Sequence, residues 1–235
     1  MNLHAGMHGY AVRKVQEALI ALGFTVGKAD GQWGPKTTAA VTAWRATQQP
    51  DIQFSTGATP ALTLDDLHTL GIPAMFPLPE ERVARALACV GKNTVYSMKS
   101  GMTGGEHPED DYCSRTQSAD CSGALAHFSG TTKSPAPERA FWFETTNLVQ
   151  DATVDRTFVR DIPAPVRGCL VAYPDHDGHQ GHCALVTRFE NGVLHGIDCS
   201  SSQSDKTGDA IHERDISFFL NAPRHTFMLL VTDPA

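Results

Sequence analysis

The chain is organised around the stretch Asp120-Cys121-Ser122-Gly123-Ala124-Leu125. The turn-rich run before it is incompatible with a helix, whereas the apolar residues that follow predict a short one. Asp120 is a typical N-cap residue, so Cys121 falls in the first turn of this helix. Unpaired backbone N–H groups and the positive end of the helix dipole favour a thiolate there. We therefore predict that Cys121 is a nucleophile, and that Gly123 lets another element pack closely against the helix.

A nucleophilic cysteine needs a base within hydrogen-bonding distance and a third group that orients the base. We predict that His182, which follows Gly181 at the start of a strand, is the base and that Asp198 is the orienting group. Without such partners Cys121 would be an inert buried thiol, which is the usual role of a single cysteine at a helix start.

Strand pairing provides a test of the choice of Asp198. A three-residue loop at 190–192 would place Ala184 opposite Asp198 in an antiparallel pair. Asp198 would then lie on the diagonal of His182 and on the same face, at roughly 7–8 Å between backbone positions. That separation allows a hydrogen bond between the imidazole and the carboxylate.

The same register argues against His195 as the third residue. It places Phe189 opposite Val193 and His195 opposite Thr187. His195 would then lie about 16 Å along the strand from His182, which is too far for a side-chain contact.

Two alternatives stay open at this site. A tighter two-residue turn would bring Cys199 or Ser201, instead of Asp198, to the face of His182. A zinc site is the second alternative, because six residues in and after one loop have side chains that can bind zinc: Asp175, His176, Asp177, His179, His182 and Cys183. The loop is rich in Gly and Asp and is not helical, so its spacing implies no common ligand face, and we expect no metal.

Composition and charge narrow the class of protein. The chain has 235 residues, 41% of them hydrophobic, as in a folded globular protein with one large or two small domains. It contains no run of about 18 apolar residues, so we expect no membrane insertion. The net charge is −7; basic and acidic residues balance at five each through Ile72, which leaves 14 against 21 beyond it. An acidic C-terminal part argues against nucleic-acid binding.

Cysteine usage and the N-terminus bear on the compartment. The N-terminal residues include neither a basic segment nor an apolar core, so we expect no signal peptide and synthesis in the cytoplasm. The six cysteines have no CxxC spacing, and in a reducing cytosol we predict that they are free thiols.

Apolar spacing predicts three helices in the N-terminal segment, ending at Gly23, near Gln48 and at Gly71. Their inward-facing residues are predicted to be Val12, Val15, Leu19, Leu22, Ala40, Val41, Trp44, Leu64, Leu67 and Leu70. A unit of this size is small but can fold alone. The proline-rich segment 73–79 then forbids a helix, so we place a linker there.

Several pieces of this segment fall in register with a known pattern: Val-x-x-Val-Gln-x-x-Leu at 12–19, Leu22-Gly23, Asp30-Gly31-x-Trp33-Gly34, and Thr37-x-x-Ala40-Val41-x-x-Trp44. Together they resemble the three-helix peptidoglycan-binding domain that precedes many cell-wall hydrolases. The resemblance implies that peptidoglycan is bound in a shallow groove. It makes Asp30, Gly31, Trp33 and Trp44 candidate peptidoglycan-binding residues. The alternative is that Asp30-Gly31 is only a turn and that both tryptophans fill the core.

The C-terminal part predicts an α+β domain. A helix is predicted at 80–90, with Val83, Leu87 and Val90 inward, and strands are predicted at 168–173, 183–189, 193–199 and 226–232. Consecutive antiparallel strands would pack against the helix that carries Cys121. The long irregular run at 101–119 is predicted to form one wall of a cleft.

Three motifs stand in order in this part: Asp-Cys-Ser-Gly at 120–123, Gly-Cys-Leu-Val at 168–171 and Gly-His-Cys-Ala-Leu-Val at 181–186. They are similar to those of the papain-like, NlpC-type cysteine peptidases of cell-wall remodelling, over about residues 80 to 200. Cys169 stands where Asp is common in that family, and Asp198 stands where His is common. The resemblance implies that Cys121 attacks an amide of the peptidoglycan stem peptide without a cofactor.

The transition state of such a reaction carries an oxyanion. The backbone N–H of Cys121 would stabilise it, with Tyr96 or Ser122 as further candidates at the site wall. For Tyr96, a half-buried structural role is the alternative.

We thus expect a monomer with a three-helix peptidoglycan-binding domain at 1–72, a linker at 73–79 and a papain-like cysteine hydrolase at 80–235. The expected activity is that of an endopeptidase or an N-acetylmuramoyl-L-alanine amidase. Without a signal peptide, a phage endolysin released to the wall by a holin, or an effector injected into rival bacteria, would fit. A wall-binding protein with an inactive hydrolase fold and a zinc amidase are the other classes.

Overall fold

The structure is a computed structural model and describes residues 3–7, 9–48, 61–72, 76–98, 118–131, 144–156 and 158–231. The chain divides into two compact units, Met1–Phe76 and Pro77–Ala235, with the division inside the predicted linker. In the part of the chain that the structure describes, no helix has the length and apolar character needed to cross a membrane.

The described residues of the first unit form three helices: α1 (Tyr10–Ala21), α2 (Pro35–Gln48) and α3 (Leu64–Thr69). Proline at the first position of α2 fits a helix start, because that position needs no backbone N–H. A capping box between Thr63 and Asp66 begins α3. The predicted inward face of α1 is buried except at its end, where Leu22 is 57% exposed. Leu22 lies past the last helical turn, so helical spacing no longer determines its direction.

The second unit contains α4 (Pro79–Cys89), α5 (Cys121–Phe128), α6 (Thr145–Gln150), which continues into a π-helical turn (Asp151–Asp155), α7 (Ser201–Thr207) and α8 (Phe218–Asn221). On α4, Val83 is buried as predicted, but Leu87 is 42% exposed. Arg82 and Arg85 are buried instead. Arg82 donates to the carbonyl groups of Pro77 and Gly168, and Arg85 donates to a carbonyl in α5, so buried guanidinium groups join α4 to its neighbours.

The core of the second unit is a six-stranded antiparallel sheet. Two short parallel strands, β1 (Val95–Tyr96) and β2 (Ser118–Ala119), lie outside it. The sheet has the order β3-β8-β4-β5-β6-β7. Its strands are β3 (Val159–Ile162), β4 (Leu170–Tyr173), β5 (His182–Glu190), β6 (Val193–Cys199), β7 (Ile211–Asp215) and β8 (Thr226–Leu230). The sequence analysis predicted four of these strands and missed β3 and β7. The described residues are therefore mixed helix and sheet, as the α+β prediction requires.

The β5–β6 hairpin differs from the predicted hairpin in its turn. Asn191 and Gly192 both have positive φ, 52° and 79°, as in a tight two-residue turn. Phe189 consequently lies opposite Leu194, and the predicted pairing with Val193 is wrong. His195 likewise pairs with Arg188, so its predicted pairing with Thr187 is wrong as well.

A β-bulge cancels the effect of the tighter turn. The register shifts between Val186 and Arg188, which leaves Thr187 as one extra residue on β5. Beyond the bulge, Ala184 lies opposite Asp198, as the sequence predicted. The bulge therefore returns Asp198 to the face of His182.

Helix α5 and helix α8 use different faces of the sheet. Phe219 of α8 packs in one cluster with alternate strand residues that include Val171 and Ala184. Helix α5 packs against β5 and β6. Cys199, whose side chain points away from the Asp198 face, hydrogen-bonds the carbonyl of Ala119 just before α5. The start of α5 thus lies near the end of the sheet where β5 begins.

Candidate active site

Cys121 is the first residue of α5 and is partly exposed. The carboxylate of Asp120 caps the helix, because it accepts a hydrogen bond of 2.7 Å from the backbone N–H of Gly123. Asp120 is 5% exposed. The cap fixes the first helical turn, and Cys121 lies at the N-terminal end of the helix, where backbone N–H groups lack intrahelical partners.

His182 and Asp198 form a hydrogen bond of 2.8 Å between Nε2 and Oδ2. The Asp198 side chain is fully buried, and the ring of His182 is mostly buried. His182 is the first residue of β5, and its hydrogen bond to Cys121 is one cause of its own pKa shift. Because Nε2 faces Asp198, Nδ1 is the nitrogen left to face the thiol.

Arg214 of β7 holds the other side of Asp198. Its Nε donates to Oδ1 at 2.9 Å, and its Nη2 donates to Oδ2 at 2.5 Å. Asp198 therefore accepts from one imidazole and from two nitrogens of one guanidinium group, which is a strong, fork-like arrangement. Arg214 was not predicted from the sequence, because β7 was not predicted; its alternation of apolar and polar residues spans only five positions.

The rings of Phe218 and Phe219 form an aromatic shelf beside the imidazole of His182. The ring of Phe219 stacks on the ring of His182, with centroids 5.7 Å apart and planes 17° apart. Phe218 lies 6.1 Å from the same imidazole and stacks on Phe219 at 4.6 Å. The shelf restricts the ring of His182 to a narrow range of positions.

The pKa of the Cys121 thiol is lowered to about 5. A hydrogen bond from the Cys183 thiol is the largest cause, and the hydrogen bond and positive charge of His182 add to it. Burial and the charge of Asp120 act in the opposite direction. The sequence indicated Cys183 only as a candidate zinc ligand, and this contact was not predicted.

The pKa of His182 is raised to about 9. Burial alone would lower it, but the hydrogen bonds to Asp198 and Cys121 and their negative charges outweigh burial. The pKa of Asp198 stays below its usual value, because its bonds to Arg214 and His182 outweigh the effect of burial. Near neutral pH these shifts favour a thiolate–imidazolium pair beside an ionised carboxylate.

A cleft of about 460 Å³ opens over the thiol. Tyr96 and Ser122, the two candidates for the site wall, both line it. Burial and the negative charge of Cys121 raise the pKa of Tyr96, so its hydroxyl keeps its proton and can donate. The Ser122 hydroxyl is buried and donates to Asp120 at 3.3 Å. Residues 101–117 of the predicted cleft wall lie outside the described residues.

Gly181 brings the chain before β5 very close to its neighbours. A Cβ atom at this position would lie 2.5 Å from the carbonyl oxygen of Tyr173. The N–H of Gly181 donates to the carboxylate of Asp175 at 2.5 Å. Glycine is thus required directly before His182.

The residues proposed as alternative zinc ligands do not converge. Within the described ranges, no group of three or more His, Cys, Asp or Glu side chains is arranged to hold a metal ion. Nδ1 of His176 lies 3.1 Å from the carbonyl oxygen of Pro174, and the rings of His176 and His179 are 5.9 Å apart. His182 points instead to Asp198.

Comparison with known proteins bears on the N-terminal unit. Residues 8–50 match the family described as "Putative peptidoglycan binding domain". The N-terminal unit carries a peptidoglycan-binding domain. This domain indicates that the protein associates with the bacterial cell wall. No curated protein matches the chain.

Within the peptidoglycan-binding domain, the candidate binding residues have two different roles. Trp33 and Trp44 are only 4% and 2% exposed and belong to the core of the domain, so the prediction that they contact peptidoglycan is corrected. Gly31 is buried, and its N–H donates to the side chain of Gln16. Asp30 is exposed, although its carboxylate also accepts from Gln16. Of the four residues, only Asp30 presents a side chain to the surface.

Proposed function

We propose that the C-terminal unit is a thiol hydrolase that cleaves an amide bond in the stem peptide of peptidoglycan. The observation that carries the proposal is the cluster of Cys121, His182 and Asp198 at the cleft, with the thiol pKa lowered to about 5 and the imidazole pKa raised to about 9. A thiol and an imidazole whose pKa values are strongly shifted, together at a cleft, are typical of a functional site. The peptidoglycan-binding domain supports the choice of substrate.

The reaction would begin with attack of the Cys121 thiolate on an amide carbonyl carbon. In the tetrahedral intermediate, the negative oxygen would lie near the N-terminus of α5, where the N–H of Cys121 can donate. The protonated hydroxyl of Tyr96 is a second candidate donor. Ser122 is less suited to this role, because its hydroxyl is buried and bonds Asp120.

His182 would give its proton to the leaving amine, which departs with one electron pair as the thioester forms. His182 would then take a proton from water as that water attacks the thioester and releases the Cys121 thiolate. Asp198 would keep the ring oriented and stabilise the imidazolium through both steps. Endopeptidases and N-acetylmuramoyl-L-alanine amidases both perform chemistry of this kind.

Substitution of the three residues tests the proposal. We expect Cys121→Ala and His182→Ala to abolish release of soluble fragments from purified cell walls, and Asp198→Ala to lower the rate by ~100-fold or more. Mass spectrometry of the muropeptides would identify the bond that is cut. Iodoacetamide should inhibit the wild type, whereas a chelator should not. Equal lysis by wild type and Cys121→Ala would contradict the proposal and leave a wall-binding protein.

A further inference from the structure

We propose that Arg214 is a positioning residue that fixes both the ionised state and the orientation of Asp198, and through it the ring of His182. The inference extends the proposed function, because it assigns a fourth member to the same site. It depends on the fork of hydrogen bonds from β7 to β6 and on the aromatic contact described below.

Asp198 is buried and therefore needs a partner for its charge. The Asp198 side chain is completely buried, while the Arg214 side chain is 28% exposed. A buried carboxylate is costly unless it is paired and all its oxygens are bonded. His182 bonds Oδ2, whereas Oδ1 accepts its hydrogen bond from Nε of Arg214. Loss of the guanidinium would leave Oδ1 without this donor in a dry environment.

The two hydrogen bonds from Arg214 also fix the orientation of the Asp198 carboxylate. Two donors on one planar group fix the rotation of the carboxylate plane, which a single contact cannot do. Oδ2 then points to Nε2 of His182, so Nδ1 of the same ring faces the thiol. Lysine has a point charge and could keep the charge of Arg214 but not the fork.

Arg214 also packs against the aromatic shelf. The guanidinium carbon of Arg214 lies 5.3 Å from the centre of the Phe218 ring. Phe218 stacks on Phe219, which in turn stacks on His182. Arg214 therefore contacts both supports of the imidazole, namely the carboxylate and the aromatic shelf.

A pH profile measured at this site also depends on the other titratable groups near it. The charge of Asp215 raises the pKa of Arg214. The hydrogen bond from Cys183 lowers the pKa of Cys121, and the charge of Asp120 raises it. Three further groups lie near the charges and have raised pKa values: Tyr96, Tyr173 and Cys199. They stay protonated across the acid range, so their charge does not change there.

The expected behaviour of Arg214→Met follows from these contacts. Removal of an adjacent arginine typically raises the pKa of a carboxyl group by about 1–3 units. Asp198 would then take up a proton at a pH at which wild-type Asp198 is ionised, and His182 would lose its negative partner. The Cys121 thiolate would consequently be lost at a higher pH than in the wild type.

The test is site-specific alkylation of Cys121 in the full-length protein. The rate of reaction with iodoacetamide would be measured at Cys121 by peptide mass spectrometry over a range of pH, alongside the melting temperature and the rate of wall lysis. For Arg214→Met we expect the acid limb of the alkylation profile to move up by about one pH unit or more, and lysis to fall by ~100-fold. For Arg214→Lys we expect an acid limb close to that of the wild type but lysis reduced by ~10-fold.

Arg188→Met is the matched control. Arg188 is an exposed arginine at the far end of β5, and its guanidinium contacts His195. We expect its profile and its lysis rate to equal those of the wild type.

Two results would overturn the inference. One is a folded Arg214→Met variant with an unchanged alkylation profile. The other, decisive if Arg214→Met does not fold, is an Arg214→Lys variant whose lysis rate equals the wild-type rate. Because alkylation needs no peptidoglycan, a protein that cuts no wall but shows the shifted profile would refute the proposed function and retain the role of Arg214.

Discussion

At the scale of single residues, the Cys121 thiol is controlled by its neighbour Cys183 as well as by the imidazole. The thiolate forms above a pKa of about 5, and the His182 imidazolium is lost above a pKa of about 9. The reactive ion pair therefore exists between these two values. Alkylation of Cys121 should rise through the lower value, and lysis should follow a bell-shaped profile between both.

Cys183→Ala tests the contribution of the second thiol. The hydrogen bond from Cys183 is the largest cause that lowers the pKa of Cys121, so its loss should raise that pKa. We expect the acid limb of Cys121 alkylation to move up by roughly one pH unit. Cys89→Ala, which removes a buried thiol from α4, should leave the profile unchanged. A Cys183→Ala profile identical to that of the wild type would show that the imidazole alone activates the thiol.

At the scale of elements, the start of α5 combines a cap with a charge, and the two have opposite effects on function. The Asp120 carboxylate stabilises the helix through its bond to the Gly123 N–H, but its negative charge raises the pKa of Cys121. A helix start built only for reactivity would use a neutral cap. Asp120 thus stabilises the first helical turn and at the same time destabilises the Cys121 thiolate.

Two substitutions separate the cap from the charge. Asp120→Asn keeps a capping oxygen and removes the charge, so we expect nearly unchanged stability and a lower pKa for Cys121. Asp120→Ala removes both, and we expect it to cost about 1 kcal/mol of unfolding free energy as well. Urea denaturation and the alkylation profile would measure the two effects. A higher Cys121 pKa in Asp120→Asn would contradict the electrostatic argument.

The β5–β6 hairpin shows how far the sequence could predict this site. The pairing of Ala184 with Asp198 followed from strand periodicity and an assumed three-residue loop. The structure reaches the same pairing by a tighter turn and a compensating bulge at Thr187. Two errors of one residue cancelled, because the turn is one residue shorter than assumed and the bulge adds one residue to β5. The bulge was not predicted, because it leaves little mark in the alternation of side chains.

Other parts of the site were predictable to different degrees. Cys121 and His182 could be found because each has a local signal, namely a helix start and a Gly-His pair before a strand. Arg214 could not be predicted, because it lies on an edge strand with little alternation of apolar and polar residues. It meets Asp198 only once β6 and β7 are paired in the sheet. The exposure of Leu87 was missed for a related reason, since buried arginines fill the place expected for an apolar residue.

At the scale of the whole molecule, the peptidoglycan-binding domain and the proposed catalytic site lie in separate compact units. In the N-terminal unit, one buried side-chain amide bonds several groups of the turn at 30–32. Gln16 is 1% exposed, and its Nε2 donates to Asp30, to the carbonyl of Gln32 and to Thr37, while its Oε1 accepts from Gly31. This side chain therefore holds the exposed turn at 30–32 against α1 and α2.

Gln16→Leu should impair binding without affecting the reaction itself. Leucine fills a similar volume but leaves the polar groups of the turn without their partner, which typically costs about 1–3 kcal/mol for each group left buried and unpaired. We expect weaker sedimentation with purified walls and slower lysis of whole walls. Cleavage of soluble muropeptides should equal that of the wild type, because the catalytic unit has its own core.

Cys121→Ala should give the reverse result, with normal sedimentation and no cleavage of either substrate. The comparison depends on a matched pair of measurements, one that needs the wall and one that does not. If Gln16→Leu reduced cleavage of soluble muropeptides as strongly as lysis of walls, the two units would be energetically coupled. In that case the buried amide network would stabilise the reactive site as well as the binding turn, and the separation of binding from chemistry would be wrong.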